Sequence, residues 1–209
     1  MTTAAPKSPL VFIISGPSGS GKSTLVEKML EVPGMMFSIS CTTRPPRPTE
    51  SPGKWYDFIS EAEFERRARE GEFLEHARVF GKHRYGTPRR WLEEAERKGL
   101  DLVLEIDVQG AEQVKRKLPD SVAIFILPPS REELERRLRA RGQDSEEAIG
   151  RRLERARQEM QRYPSYDYLV INDDMERAAR EVQAIAVGMR CSRGRMDGCA
   201  REILGSFGG

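Results

Sequence analysis

The sequence predicts an α/β fold, a parallel β-sheet with helices on both faces, and three observations carry that prediction. Apolar runs of strand length alternate with longer, charged stretches of helical period. The runs are rich in β-branched residues and nearly continuous, which is how strands buried on both faces read. The chain has 209 residues, 38% of them hydrophobic, and folding at this length buries roughly 70% of the unfolded chain's surface, so a core forms without disulfides.

The elements follow in order. Leu10 to Ser15 is the candidate central strand, and Ser23 to Leu30 is a helix. Leu102 to Ile106, Val122 to Leu127 and Tyr168 to Ile171 repeat the buried-strand signature, each followed by a helix: near Gln109 to Lys117, Arg131 to Arg141 and Asp174 to Met189. Between the first helix and Leu102 the texture changes. Trp55 to Ile59 and Glu72 to Phe80 read as half-polar strands around a helix from Glu61 to Glu70, with Ser60 and Glu63 spaced as a capping box. This predicts an inserted α+β subdomain over residues 36–98, within a core of residues 8–32, 100–130 and 158–190. Residues 131–157 form two charged helices broken at Gly142, whose basic residues are nine Arg and no Lys. The segment 190–209 is glycine-rich and is expected to fray.

Composition excludes several classes. Thirty-five Lys+Arg against 33 Asp+Glu give a formal charge of +2, without the basic excess that general nucleic-acid binding requires. The longest apolar runs fall far below the roughly 20 residues of a membrane span, and Met1 to Pro9 lacks the basic start of a signal peptide. Cys41, Cys191 and Cys199 form no C-x-x-C pair, which fits a reducing compartment. The expectation is a cytoplasmic protein with no nucleic-acid or membrane partner, its oligomeric state open.

Residues 16–24 read GPSGSGKST, a complete G-x-x-x-x-G-K-S/T pattern directly after one predicted strand and directly before a helix. The fold is therefore of the P-loop NTPase type. Gly16, Gly19 and Gly21, in a loop that also holds Pro17, Ser18 and Ser20, let backbone N–H groups converge on phosphate at a helix N-terminus. Lys22 reaches the β- and γ-phosphates, the Ser23 hydroxyl ligates Mg²⁺, and Thr24 completes the loop. The loop makes ATP the expected co-substrate. A guanine-selective switch would carry Asn-Lys-x-Asp, and the comparable stretch here is Asn172-Asp173-Asp174 without Lys. Downstream, Arg44 and Arg47 lie three apart among prolines that hold the chain extended, two rigid forks suited to one phosphate.

The run Ser40-x-Thr42-Thr43-Arg44-x-x-Arg47, then Gly53-x-x-Tyr56-x-Phe58, Glu72-Phe73-x-Glu75, Tyr85-Gly86-Thr87 and Glu105-Ile106-Asp107-x-Gln109-Gly110 resembles the guanylate kinase family. With GPSGSGKST, Arg141-Gly142 and Asn172-Asp173-Asp174 the resemblance extends from about Pro9 past Met189. It implies that Arg44, Arg47, Tyr56 and Tyr85 hold the GMP phosphate and that Ser40, Glu75 and Thr87 read the guanine edge. A carboxylate accepts from guanine N1–H and the 2-amino group together but meets an acceptor on adenine N1, a difference worth about 1–3 kcal/mol for a bidentate pair. Read alone, Glu75 is a surface carboxylate. Asp107 is implied to lie between the nucleotides, serving GMP or Mg²⁺ through water; read alone, it is a strand-end cap.

The resemblance also makes residues 36–98 the GMP-binding subdomain and 131–157 a helical lid. Arg137, Arg141 and Arg152 fall on its lid positions, and Arg137 and Arg141 are i, i+4 neighbours. Asn172 is a contributor at the ATP site. The implied activity is ATP- and Mg²⁺-dependent, reversible phosphorylation of GMP, and of dGMP, in purine nucleotide metabolism and GMP recycling. A kinase for another small acceptor and a protein-interaction module are the rivals. The Ser40 and Glu75 pair counts against the first and the intact Gly21-Lys22-Ser23 against the second.

Overall fold

The computed structural model describes residues 8–47, 50–79, 83–140 and 145–207. In chain order the elements are β1 (Val11–Ser15), α1 (Lys22–Leu30), β2 (Met35–Phe37), β3 (Ser40–Thr42), β4 (Tyr56–Phe58), α2 (Glu61–Arg69), β5 (Phe73–Val79), β6 (His83–Pro88), α3 (Arg90–Lys98), β7 (Asp101–Glu105), α4 (Val108–Lys117), β8 (Val122–Leu127), α5 (Arg131–Ala140), α6 (Glu146–Met160), β9 (Tyr168–Ile171), α7 (Met175–Arg190) and α8 (Arg193–Gly205). They build two sheets. The larger is parallel, in the order β2-β7-β1-β8-β9, and the smaller is mixed, in the order β4-β3-β6-β5.

The central position of β1 explains its unbroken apolar sequence. It pairs with β7 on one side, Val11 opposite Leu102, and with β8 on the other, Phe12 opposite Val122. Alternate residues face opposite layers. Phe12 and Ile14 pack with Leu25, Val26 and Met29 of α1 and Val182 of α7. Val11 and Ile13 pack with Ala95 of α3 and Val114 of α4. Asp101, at the start of β7, ties the layers together: one oxygen accepts from Leu10 N at 2.8 Å and the other from Arg190 Nε at 2.7 Å.

Three expectations are corrected. Tyr168–Ile171 is a strand, but only Val170 is buried, because β9 lies at the sheet's edge. The core also holds residues that the predicted 36–98 subdomain had claimed. Strand β2 pairs with β7, and Trp91, Leu92 and Ala95 of α3 pack beneath the large sheet. Finally, residues 193–205 form α8 in place of a frayed tail, though none of its residues is buried. Ser60 caps α2 as expected, accepting from Glu63 N at 3.2 Å. The reciprocal half of the capping box is not formed, since the Glu63 carboxylate pairs with Arg66 and Arg67.

Candidate active site

The cleft lies where parallel-sheet proteins bind ligands, past the carboxyl ends of the central strands. It is bounded by the loop after β1, the end of β7 and one face of the small sheet, with a cavity of about 260 Å³. Gly16, Ser18, Gly19, Gly21, Lys22, Ser23, Thr24, Ser40, Arg47, Tyr56, Glu75, Tyr85 and Asp107 all line it. That is most of the residues the sequence singles out.

The phosphate loop needs glycine for two physical reasons. Gly21 precedes α1 at φ +93°, and a Cβ there would stand 2.2 Å from Asn172 Nδ2. Gly19, at φ +97°, makes room for the Leu134 and Leu138 side chains of α5, so the base of the charged hairpin seats directly on the loop. Lys22 folds over the loop, donating to the carbonyls of Gly16 at 2.6 Å and Pro17 at 3.0 Å. Asn172 lies beneath the loop: its buried amide donates to Ser20 O at 2.7 Å, and it does not line the cleft. Its position is that of a support for the loop. Ser23 Oγ donates to Glu105 Oε1 at 2.9 Å, which gathers two oxygen ligands beside Asp107. Among the described residues no cluster of three His, Cys, Asp or Glu stands ready as a metal cage. The set fits Mg²⁺, which takes few protein oxygens and keeps its waters and phosphates.

The small sheet sorts its residues by strand alternation, broken once by a register shift between Phe73 and Glu75. Ser40, Tyr85 and Glu75 face the cleft, while Cys41, Phe64 and Phe73 form a separate small core on the other side. Glu75 and Thr87 are directly paired across β5 and β6. The Thr87 hydroxyl donates to Glu75 Oε1 at 2.7 Å. Glu75 is 3% exposed. Burial pushes its pKa up to about 7, with the charge of Asp107 adding to the rise and the Thr87 hydroxyl opposing it. Asp107 is the cap that its residue type alone suggests, Oδ1 accepting from Gly110 N at 2.9 Å at the start of α4, and it also lines the cleft.

The guanylate kinase family model matches residues 8–187. The chain belongs to the guanylate kinase family. It is 49% identical over 190 residues to the guanylate kinase of Myxococcus xanthus (strain DK1622), covering 90% of both chains. It is 51% identical over 176 residues to that of Hahella chejuensis (strain KCTC 2396), covering 84% of both. The crystal structure of guanylate kinase from Anaplasma phagocytophilum superposes with a TM-score of 0.76 at 35% identity, over 90% of this chain and 89% of that one. Membership makes the chain a nucleoside monophosphate kinase.

In this member of the guanylate kinase family the arginines are held by partners that sequence reasoning missed. Arg44 grips Glu50 through two hydrogen bonds of 2.8 Å, donates from Nε to Tyr85 Oη at 3.1 Å, and lies 5.6 Å from the ring centres of Tyr56 and Phe58. Glu50 also accepts from Arg47 N at 2.7 Å. Burial works against charge on Glu50, but these donors outweigh it and hold its carboxyl below the usual range. The signal was there: Glu50 lies six residues beyond Arg44 in a segment otherwise empty of acids. Of the lid residues, Arg137 donates to Glu133 and, at 2.8 Å, to Asn172 O beside the phosphate loop. Arg152 is half-buried on α6, and Arg141, with Gly142, lies outside the described residues. Arg155 was missed; its guanidinium stands 3.9 Å from Asp107 Oδ2, and its i, i+3 spacing places it beside Arg152 on one helix face.

Proposed function

We propose that this chain transfers the γ-phosphoryl group of ATP reversibly to GMP, giving ADP and GDP, with dGMP as a further acceptor and Mg²⁺ as the metal. The observation that carries the reading is the buried Glu75, paired with Thr87, in the same cleft as a complete phosphate loop. Glycines 16, 19 and 21 offer backbone donors to the ATP phosphates, and Lys22 swings from the loop carbonyls onto them. Ser23, Glu105 and Asp107 would hold Mg²⁺, which neutralises charge on the phosphates when bound. Arg44, Arg47, Tyr56 and Tyr85 receive the GMP phosphate, while Ser40, Glu75 and Thr87 take the base.

The acceptor oxygen is already ionised, so no general base is needed. The work is positioning and charge neutralisation by Lys22 and the arginines. The hairpin of α5 and α6 brings Arg137 and Arg152 toward the phosphates and excludes water, which otherwise competes as acceptor; Arg141 is the third lid arginine that family membership implies. Three unpaired cysteines and the absence, among the described residues, of any helix long and apolar enough to cross a membrane support a cytoplasmic setting.

The test is ADP release from ATP and Mg²⁺ with each of GMP, AMP, CMP, UMP and dTMP in turn. GMP alone should drive turnover, and Lys22→Ala should reduce it at least a hundredfold, the scale seen when a charge-stabilising donor is removed. Equal turnover with every monophosphate would refute the acceptor assignment.

A further inference from the structure

The proposed base reader sits on the small sheet, but what holds it in place comes from the core. Helix α4 lies against β5, and Gly110, Gln113 and Lys117, spaced i, i+3 and i+7 along one helix face, meet three consecutive strand residues. Lys117 Nζ donates to the Leu74 carbonyl. Gln113 brackets the backbone of His76: its Oε1 accepts from His76 N at 3.3 Å and its Nε2 donates to His76 O at 2.8 Å. Gly110 comes up against Glu75 itself, where a Cβ would stand 2.6 Å from Oε2. The carboxylate is bounded on one side by the Thr87 hydroxyl and on the other by a bare Cα.

This help arrives where β5 needs it. The pairing of β5 with β6 shifts register between Phe73 and Glu75, and a strand at such a break is not held to its pitch by the ladder alone. The bonds from α4 fall on the residues at and just past the break. The same helix is capped by Asp107, so one helix end presents a cleft carboxylate and walls the proposed base pocket.

We infer that Gly110 and Gln113 are positioning residues for base selectivity: α4 sets the place of the Glu75 carboxylate, separately from the subsite of Arg44, Arg47, Tyr56 and Tyr85. This rests on Glu75 being the guanine reader. Two parallel hydrogen bonds need both carboxylate oxygens in place, so moving one costs selectivity before it costs phosphate affinity.

Two variants test it. Gly110→Ala adds a methyl that a helix favours against the strain of moving a buried carboxylate; Oε2 is displaced, and the melting temperature reads how far the fold is weakened. Gln113→Met keeps the volume and removes both bonds to His76. Each is assayed with GMP and with inosine monophosphate, which lacks the 2-amino group, alongside KM for ATP and the melting temperature. The expected result is a rise of about tenfold in KM for GMP. The preference for GMP over inosine monophosphate, as a ratio of kcat/KM, should fall by a similar factor. KM for ATP should stay within about twofold, against the tenfold that one lost interaction produces. Unchanged preference in a folded Gly110→Ala overturns the inference, as does an equal rise in KM for both acceptors, which would assign the effect to the phosphate. If the parent enzyme shows GMP-dependent turnover and Glu75→Gln keeps full preference, the reader itself is misassigned and the inference falls with it.

Discussion

At the scale of single residues, Glu75, the proposed base reader, costs stability by being buried. Its carboxyl is buried, with a pKa of about 7 in the folded chain against 4.5 in water. Because the folded value is raised, the folded state holds this proton more tightly than the unfolded one. Stability is therefore full below the unfolded value and is lost as pH rises toward 7. Glu75→Gln should melt higher than the parent at pH 8, with the gap closing as the pH falls toward 4.5; thermal unfolding across that range checks it. On the proposed reading the charged form accepts from guanine, so kcat/KM for GMP should climb tenfold per pH unit below about 7 and level above it. Glu75→Gln shares the substrate phosphate's own titration near 6 and should lack the inflection near 7. A profile identical in both proteins would count against the assignment. Arg44 makes the complementary point. Its fork is committed to Glu50 and its Nε to Tyr85, so the proposed phosphate subsite is preorganised by an acid that belongs to no phosphate-binding motif.

At the scale of elements, the parts best read from sequence were those governed by local periodicity. The β8 range matched to the residue, and α1, α4 and α7 matched to within a residue or so, because continuous apolar runs and 3.6-residue stripes need no knowledge of partners. Strands β2, β3 and β6 went unread for the opposite reason. They are short or half-polar, and they exist only through pairing with distant segments, Met35 with Asp101 and Cys41 with Gly86. The register shift in β5 was equally invisible. Strict alternation would put Phe73 and Glu75 on one face, whereas the structure sends Phe73 to Phe64 and Glu75 to the cleft. Asp101 carries an element-scale prediction. It satisfies a buried backbone donor at the start of β1 and an arginine from the end of α7. Asp101→Ala should cost about 2–3 kcal/mol in urea unfolding, the cost of stranding buried polar groups. The KM values for ATP and GMP should not move, since Asp101 lies at the opposite end of β7 from the cleft.

At the scale of the whole molecule, one cleft joins two units whose sequences look unlike. The parallel sheet supplies the phosphate loop, Glu105 and Asp107 at its carboxyl edge, and the small sheet supplies the acceptor face. The motifs could be read because each is local, but their convergence could not, since it depends on α4 docking against β5. The last helix stands apart from this plan. It buries no residue, and the family match ends at residue 187, before α8 begins. A chain ending at Cys191 should keep its kcat/KM for GMP and melt within about 4 °C of the parent, the shift expected for roughly 1 kcal/mol at this size. A larger loss would mean that Ile203, Leu204 and Phe207, all exposed here, contribute to the folded state. Glu75 is proposed to choose the base in a cleft built around a phosphate loop. The direct measurement is the ratio of kcat/KM for GMP to that for AMP in the parent and in Glu75→Gln. A fall of at least tenfold in that ratio, with KM for ATP unchanged, is the predicted result; an unaltered ratio in a folded, active variant would contradict it.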